Sequence, residues 1–305
     1  MSAATGHLPV MLEQCLSALA IKPDGHYLDA TFGRGGHTRA ILACLSPVGR
    51  ITVMDRDPQA IASALELAGA DSRVSVLHGN FADLLAGLPS DYFDGALLDL
   101  GVSSPQLDQA ERGFSFQSDG PLDMRMDTST GASAATWLKE VSEVELLRVL
   151  REYGDEPEAK FIARALCAVR GEINTTLQLA EKVDDIKRTR KPGRNPATQV
   201  FQAIRIAVND ELGSIERALT ALLPALRSGA RMVVMAFHSL EDRIVKRFIA
   251  EQAKAPPASR RDFMAASNFI PRLIAIGKAQ FANDNECKVN PRARSAVLRI
   301  AEKLA

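Results

Sequence analysis

The chain has 305 residues, and its 37 Lys and Arg residues balance its 37 Asp and Glu residues. This length can bury a substantial core, as one large domain or as a domain with an insertion. A net charge of zero provides no global attraction to nucleic acid, so any RNA or DNA contact must use local basic patches. The four cysteines are scattered without a C-x-x-C pair, which argues against a disulfide framework or a metal site. Without an apolar run long enough to span a membrane, we expect a soluble, unprocessed, cytoplasmic protein.

The first third of the chain alternates between strand and helix patterns. A helix pattern over residues 9–20 comes first, and helices over 38–45 and 58–67 then separate short apolar strands. The strands are predicted at residues 27–30, 50–54, 73–77 and 93–98. Such alternation is typical of a parallel, doubly wound α/β sheet.

Helical periodicity replaces the strand pattern after Asp127. Residues 128–209 are therefore predicted to form an inserted, all-helical subdomain, opened in part by a capping box at Ser142 and Glu145. Strand patterns return at 231–237 and 296–300. The sheet domain is accordingly assigned to residues 1–127 and 210–305.

A glycine-rich loop follows the first predicted strand, from Asp29 to His37. It contains Gly33, Gly35 and Gly36, and glycines let a backbone approach a ligand closely. The G-x-G-x-x-G pattern of dinucleotide-binding proteins fails because Thr38 stands at its sixth position. The pattern D-x-x-x-G-x-G instead resembles the S-adenosylmethionine loop of class I methyltransferases. Asp55 ends the second strand, where a carboxylate can accept hydrogen bonds from ribose hydroxyls.

Asp99 ends the fourth strand, at the position where amino-methyltransferases carry the loop that holds their target amine. The exocyclic amine of a base is a poor nucleophile because its lone pair is delocalised into the ring. A carboxylate that accepts its N–H would orient the amine and help to remove the surplus proton. The sequence leaves open whether Asp99 does this, binds the cofactor or only caps the loop.

Three further groups of residues are candidates for a functional role. His238 leaves the fifth strand and either transfers a proton or is a structural hydrogen-bond partner. Gln202, Arg205 and Asn209 share one helix face, which either lines a substrate groove or is merely solvated. A basic run is either a mobile loop or a phosphate-binding arm, and it contains Lys187, Arg188, Arg190, Lys191 and Arg194.

These motifs together resemble the RsmH (MraW) family of bacterial 16S ribosomal RNA cytosine-N4 methyltransferases. The resemblance extends over nearly the whole chain. The matching segments are residues 7–10, 29–37, 55–60, 94–127, 195–198, 201–206, 237–246 and 290–295. It implies a class I methyltransferase sheet domain with an inserted helical substrate domain, and methylation of the N4 amine of a cytidine in the decoding region of 16S rRNA.

The resemblance also implies particular site residues and partners. S-adenosyl-L-methionine would be the cofactor and 16S rRNA in the 30S subunit the substrate, without a metal or a membrane; whether two copies form a homodimer stays open. The catalytic candidates, Asp99 and His238, come from the residues themselves, and the resemblance does not decide between a catalytic and a cofactor-binding role for Asp99. The expected cofactor-binding residues are Gly33, Gly35, Gly36, His37, Asp55, Phe81, Asp99 and Gln106. Because the cytidine must leave its stack, Phe114 and Phe116 could stack on it, while Arg112 and Arg125 could hold phosphates.

Three other functions are weaker interpretations of the same sequence. A DNA amino-methyltransferase would use the same chemistry and differ only in its substrate. A noncatalytic ribosome-assembly factor would not need the glycine loop, Asp55 and Asp99 together. A nicotinamide-dependent dehydrogenase is disfavoured by the glycine spacing.

Overall fold

The computed structural model describes residues 9–189, 193, 195–255 and 269–305. The described residues separate into two compact units, one within residues 9–101 and 212–305 and the other within residues 102–211. No helix among the described residues is long and apolar enough to cross a lipid bilayer.

The first unit is built on one eight-stranded sheet. In chain order its elements are α1 (Leu12–Leu19), β1 (His26–Asp29), α2 (Gly36–Cys44), β2 (Arg50–Asp55), α3 (Pro58–Ala70), β3 (Val74–His78), α4 (Phe81–Ala86), β4 (Phe93–Asp99), α11 (Glu211–Ala225), β5 (Leu226–Ala236), α12 (Ser239–Ala253), β6 (Leu273–Ala275), β7 (Gln280–Phe281), α13 (Asp284–Val289), a 3-10 turn (Pro291–Ser295) and β8 (Val297–Lys303). The strand order is β3-β2-β1-β4-β5-β8-β6, and β7 also pairs with β8.

Strands β1 to β5 are parallel, whereas β8 is antiparallel to β5, β6 and β7. The predicted parallel α/β sheet is thus confirmed. The sequence did not predict the direction of β8, because the pairing of a strand depends on residues distant in the chain. It also missed α4 and the short strands β6 and β7, which contain too few residues to show a period.

Both faces of the sheet are covered, as the apolar strands require. Along β4, Ala96 and Leu98 belong to one buried cluster with α4, α11 and α12, whereas Leu97 belongs to a second cluster with α1, α2 and α3. Successive residues of a strand point to opposite faces, so a continuous apolar run fills two cores. This burial fixes the strand ends from which the site is built.

The second unit is helical and has its own buried cluster. Its elements are α5 (Ser104–Asp108), a 3-10 turn (Ala110–Arg112), α6 (Ala134–Glu140), α7 (Glu143–Glu152), α8 (Ala159–Ala168), α9 (Thr176–Ile186) and α10 (Thr198–Asn209). Of the predicted capping box, the structure shows one half: the Ser142 hydroxyl accepts a hydrogen bond from the Glu145 N–H, while the Glu145 carboxylate pairs with Arg148.

The helical unit begins 26 residues before the predicted boundary, at residue 102 rather than 128. Residues 102–127, which the sequence assigned to the sheet domain, form a segment here called the polar loop, and its backbone pairs with residues just before and at the start of α9. The Leu122 N–H donates a hydrogen bond to the Asn174 carbonyl at 2.9 Å, and the Thr176 N–H donates one to the Gly120 carbonyl at 2.9 Å. The loop has no helical periodicity, and these long-range bonds are therefore invisible in the sequence.

Candidate functional site at the carboxyl edge of the sheet

Asp29 holds the two ends of the glycine loop together. Its carboxylate accepts hydrogen bonds from the Thr31 N–H at 3.2 Å and from the Thr38 hydroxyl at 2.5 Å. The side chain is buried, which raises the pKa of Asp29 to about 6 against the lowering effect of these hydrogen bonds. The loop is therefore fixed at the end of β1 by a carboxylate that the solvent does not reach.

The three glycines of the loop are required for different structural reasons. Gly33 and Gly35 have φ angles of 55° and 70°, a left-handed conformation that favours glycine. At Gly36 an added Cβ would lie 2.4 Å from Cγ of Pro9, whereas at Gly33 it would meet only one atom within 4 Å, at 3.9 Å. Gly36 thus permits close packing, and Gly33 leaves open space in which a ligand can approach the backbone.

Asp55 connects β2 to the same loop. Its two carboxylate oxygens accept hydrogen bonds from the N–H groups of Gly33 at 2.8 Å and Asp57 at 2.9 Å. Burial raises the pKa of Asp55 to about 6. Because each carboxylate oxygen has a second lone pair, Asp55 can still accept hydrogen bonds from ligand hydroxyls.

Phe81 follows β3, as the first residue of α4. The Asn80 side chain caps this helix by accepting a hydrogen bond from the Ala82 N–H at 3.0 Å. Phe81 is half-buried, which leaves part of its ring available to an apolar ligand surface.

Asp99 and His37 face one another at the ends of β4 and the glycine loop. His37 Nε2 lies 3.1 Å from the carbonyl oxygen of Val10, which identifies Nε2 as the donor, and His37 Nδ1 lies 3.6 Å from Asp99 Oδ2. Asp99 N–H donates to the Thr31 hydroxyl at 2.7 Å. Among the described residues, the buried Asp99 Oδ1 has no hydrogen-bond partner. Asp99 therefore keeps acceptor capacity that the protein itself does not use.

The protonation of Asp99 is controlled by its surroundings. Burial raises the pKa of Asp99 to about 7; His37 lowers it, and the carboxylates of Asp29 and Glu241 raise it. An aspartate with a pKa near neutrality is suited to exchange a proton at physiological pH.

Glu241 organises the turn between β5 and α12, where His238 lies. Its Oε2 accepts hydrogen bonds from the N–H groups of Phe237 at 2.8 Å and His238 at 3.2 Å, and its Oε1 lies 3.2 Å from His238 Nε2. His238 Nδ1 has no hydrogen-bond partner in the described part of the chain. Sequence reasoning overlooked Glu241, although a Glu three residues after a helix N-cap is a recognisable capping signal.

The sheet edge therefore brings together most of the predicted cofactor residues and both catalytic candidates. Strands β1 to β5 each contribute at their carboxyl ends, where ligands bind in open α/β sheets. The remaining predicted residues belong to the helical unit.

Gln106, Arg112 and Phe114 are buried inside the helical unit. Gln106 Oε1 accepts a hydrogen bond from the Ser103 N–H at 2.9 Å. Arg112 donates to the carbonyl oxygens of Arg125 and Met126, and its guanidinium lies 5.9 Å from the ring centroid of Phe114. The expectation that Arg112 holds a phosphate and Phe114 stacks on a base does not fit this burial, because both would first have to leave their present contacts.

Phe116 and Arg125 are less enclosed. Phe116 is half-buried and packs edge-on against Phe201, with ring centroids 4.9 Å apart. Arg125 pairs with Asp123 at 2.7 Å and donates to the carbonyls of Thr130 and Gly131. Their substrate-binding role stays a prediction.

The α10 residues Gln202, Arg205 and Asn209 are structural rather than solvated. Gln202 donates to the Tyr153 carbonyl at 3.1 Å, and both Arg205 nitrogens that bond Glu211 do so at 2.8 Å. Asn209 is 3% exposed and bonds Met124 O and Met126 N. The Asn209 side chain therefore fixes the loop that contains Met124 and Met126 to α10. Gln202 and Arg205 instead bond α10 to Tyr153 and Glu211 of the same unit, so all three side chains have structural partners.

The basic run divides between the described and undescribed parts of the chain. Lys187 is buried and pairs with Glu156 at 2.7 Å, so it is not a phosphate ligand. Arg188 is exposed. Arg190, Lys191 and Arg194 lie outside the described residues.

Comparison with known proteins decides the family. The sequence matches the MraW methylase family over residues 4–304. The chain belongs to the MraW methylase family. It is 52% identical to the ribosomal RNA small subunit methyltransferase H of Xylella fastidiosa (strain M12), covering 98% of this chain and 97% of the relative. The corresponding protein of Xanthomonas euvesicatoria pv. vesicatoria (strain 85-10) is 53% identical, with coverage of 98% and 89%.

Solved structures also resemble this member of the MraW family at low sequence identity. An rRNA methylase from Streptococcus thermophilus has a TM-score of 0.42 and 12% identity, with 96% of this chain and 94% of that chain covered. A SAM-dependent methyltransferase from Aquifex aeolicus has a TM-score of 0.40 and 9% identity, with coverage of 97% and 90%.

Family membership and the observed sheet make this chain a class I methyltransferase whose methyl donor is S-adenosylmethionine. The residues at the sheet edge fit such a donor. Gly33 leaves room for close approach, Asp55 retains acceptor capacity for hydroxyls, and the Asp99 Oδ1 atom is buried without a partner in the described chain.

Proposed function

We propose that this methyltransferase acts on the N4 amine of a cytidine in the decoding region of 16S rRNA, within the small ribosomal subunit. The observation that carries the proposal is Asp99, a carboxylate at the end of β4 with a pKa raised to about 7 and one buried oxygen free of partners among the described residues. The names of the curated relatives support a ribosomal RNA substrate. The resemblance of the sequence motifs to those of cytosine-N4 methyltransferases supports N4 of cytosine as the methylated atom.

The cofactor would be held by the residues that line the edge of β1, β2 and β3. The backbone of Gly33 to His37 would approach it closely, the Asp55 carboxylate would accept its ribose hydroxyls, and Phe81 would contact its adenine. Gln106 stays a predicted cofactor contact. When bound, S-adenosylmethionine supplies an electrophilic methyl group on a positively charged sulfur.

Asp99 then provides a proton acceptor for the target amine, which is a poor nucleophile by itself. Its carboxylate accepts an N–H of the amine, which orients the lone pair and directs the surplus proton to an oxygen. His37 Nδ1 faces this carboxylate at 3.6 Å, and a positive charge on the imidazole ring lowers the pKa of Asp99. We propose Asp99 as the proton acceptor and His238, held by Glu241, as a hydrogen-bond donor or acceptor toward the base.

The helical unit would take part in binding RNA. A cytidine must leave its stack to reach a buried carboxylate, at a free-energy cost of a few kcal/mol. Phe116 and Arg125 of this unit are partly exposed, so they retain accessible surface for the nucleotide and its phosphate.

The direct test is transfer of labelled methyl from S-adenosylmethionine to small ribosomal subunits that lack the modification, beside free 16S rRNA and duplex DNA. We expect label on the assembled subunit, recovered as N4-methylcytidine after digestion to nucleosides. Label on DNA would replace the proposal with a DNA amino-methyltransferase. Absence of label on all three substrates, with cofactor binding intact, would indicate a noncatalytic assembly factor.

A further inference from the structure

The outer face of α8 presents an aromatic ring among cations. Lys160, Phe161 and Arg164 are all exposed there, and Phe161 has an exposed fraction of 57%. The guanidinium of Arg188, which follows α9, lies over this ring with its Cζ 5.6 Å from the ring centroid. We name these four residues the α8 platform.

Buried contacts hold Arg188 in place. The ammonium group of the preceding Lys187 lies 2.7 Å from Glu156 Oε2 and 3.0 Å from the Pro196 carbonyl, in a buried pair. The Glu158 carboxylate accepts hydrogen bonds from the backbone N–H groups of Arg188 at 3.1 Å and Thr189 at 2.8 Å. A buried ion pair is costly to break, so these contacts fix the backbone of Arg188 beside α8.

The cations of the platform are not neutralised within the described chain. There, the side chains of Lys160, Arg164 and Arg188 form no ion pair. A second Arg–aromatic pair of the same unit differs in this respect. Arg148 lies 5.3 Å from the Tyr153 ring centroid, yet it pairs with Glu145 at 2.7 Å and also with Glu152. The platform therefore combines an accessible aromatic surface with unpaired positive charge, whereas the Arg148 pair does not.

We infer that the α8 platform binds a single-stranded segment of the substrate RNA away from the methylated nucleotide. One unpaired base would stack on Phe161 or on the Arg188 plane, while Lys160 and Arg164 would bind the neighbouring phosphates. Charge complementarity with the phosphate backbone selects RNA as the occupant. The inference rests on the proposed rRNA substrate and adds a second contact to it.

The test compares five forms of the full-length protein in steady-state methylation of small subunits and in equilibrium binding to 16S rRNA. The forms are wild type, Phe161→Ala, Phe161→Tyr, Arg188→Gln and Arg148→Gln. Loss of stacking in Phe161→Ala should raise the KM for subunits about tenfold, with kcat and cofactor affinity unchanged. Phe161→Tyr keeps the ring and should restore KM to near wild type.

The two arginine variants remove the same charge from different surroundings. Arg188→Gln should weaken RNA binding and reduce the slope of log K against log salt by about 0.7 to 1, as loss of one phosphate contact requires. Arg148→Gln should leave both quantities unchanged. Thermal unfolding checks that each variant is folded, which the exposure of Phe161 leads us to expect.

Several outcomes would overturn the inference. Wild-type KM in Phe161→Ala, or equal effects of Arg188→Gln and Arg148→Gln, would show that the platform does not bind RNA. Weaker binding to subunits with unchanged binding to protein-free 16S rRNA would assign the platform to a ribosomal protein instead. Because RNA binding is measured separately, failure of the wild type to methylate would refute the proposed function without deciding this inference, and the binding comparison would still decide it.

Discussion

Asp99 is the residue at which two roles predicted from the sequence meet. A strand pattern ending in Asp was enough to locate a carboxylate at the edge of the sheet. It was not enough to fix the protonation of Asp99, because the pKa depends on burial and on His37, Asp29 and Glu241, which are distant in sequence. The same limit applies to Asn209, whose buried hydrogen bonds to the polar loop replaced the expected solvated or substrate-facing side chain.

Replacement of Asp99 by Asn separates proton acceptance from cofactor binding. Asn is close in shape but cannot take up a proton, so we expect kcat at saturating S-adenosylmethionine to fall by about 10²-fold or more. Calorimetry would measure the cofactor Kd in parallel. If Asp99→Asn has the wild-type kcat at saturating cofactor and only a weaker cofactor Kd, Asp99 contributes to cofactor binding alone.

The raised pKa of Asp99 predicts a pH-dependent rate. With a pKa of about 7 the carboxyl is mostly protonated at pH 6 and cannot accept a proton from the amine. Single-turnover methyl transfer should therefore rise with pH, with a midpoint at or below 7, since the positive sulfonium of a bound cofactor lowers the pKa. The same shift makes Asp99 destabilise the fold as pH rises from about 4 to 7, because the folded form binds the proton more tightly than the unfolded form. A rate that does not change between pH 5.5 and 8.5 would contradict the role.

Substitution of Gly36 tests the close packing between the start of α2 and Pro9. In Gly36→Ala the new Cβ would lie 2.4 Å from Pro9 Cγ, so α2 and the Pro9 segment must separate. We expect a loss of about 1 to 3 kcal/mol in the free energy of unfolding and weaker cofactor binding. The control is Gly69→Ala, where nothing lies within 4 Å and helix propensity favours Ala. Equal stability of the two variants in denaturant titration would show that the loop tolerates the displacement.

At the scale of elements, the first turn of α12 contains Glu241, which has both a structural and an electrostatic effect on the site. Glu241 satisfies the N–H groups of Phe237 and His238, lies beside the His238 ring and raises the pKa of Asp99. The sequence showed the F-H-S-L-E motif but not that Glu241 would be buried, because burial arises from packing between strands and helices.

Glu241→Gln keeps an oxygen that can accept both backbone hydrogen bonds and removes the negative charge. The pKa of Asp99 should then fall, so the acidic limb of the rate profile should move to lower pH while the protein stays folded. Glu241→Ala, in contrast, leaves the buried N–H groups unpaired and should lower stability by about 1 to 3 kcal/mol. A purely structural role would appear as reduced stability in Glu241→Gln with an unshifted pH profile.

The buried parallel strands were the most predictable parts of the fold. Strands β1 to β4 were each placed within one residue at either end, because a buried parallel strand is a continuous apolar run. β5 begins at Leu226, five residues before its predicted start. The prediction missed the first half of this strand because that half is mostly exposed and has no continuous apolar run. Pro256 and Pro257, with the polar residues around them, predict a loop from the sequence, and these positions lie outside the described residues.

At the scale of the whole molecule, the sequence revealed an insertion but not where it begins. The change from strand to helix periodicity marked residue 128, whereas the contacts place residues 102–211 together. A loop without periodicity belongs to whichever unit satisfies its backbone hydrogen bonds, and for this loop the partners lie about fifty to eighty residues away at Asn174, Thr176 and Asn209. The balanced charge of 37 basic and 37 acidic residues is consistent with RNA binding through local surfaces such as the α8 platform.

The most direct measurement is mass spectrometry of the isolated decoding-region fragment of 16S rRNA, intact and after digestion to nucleosides, from a bacterium that lacks its own member of this family. Cells expressing the wild-type chain should regain N4-methylcytidine in the decoding region, and cells expressing equal amounts of Asp99→Asn should not. Methylation at another atom or another position, or full restoration by Asp99→Asn, would contradict the account of this site.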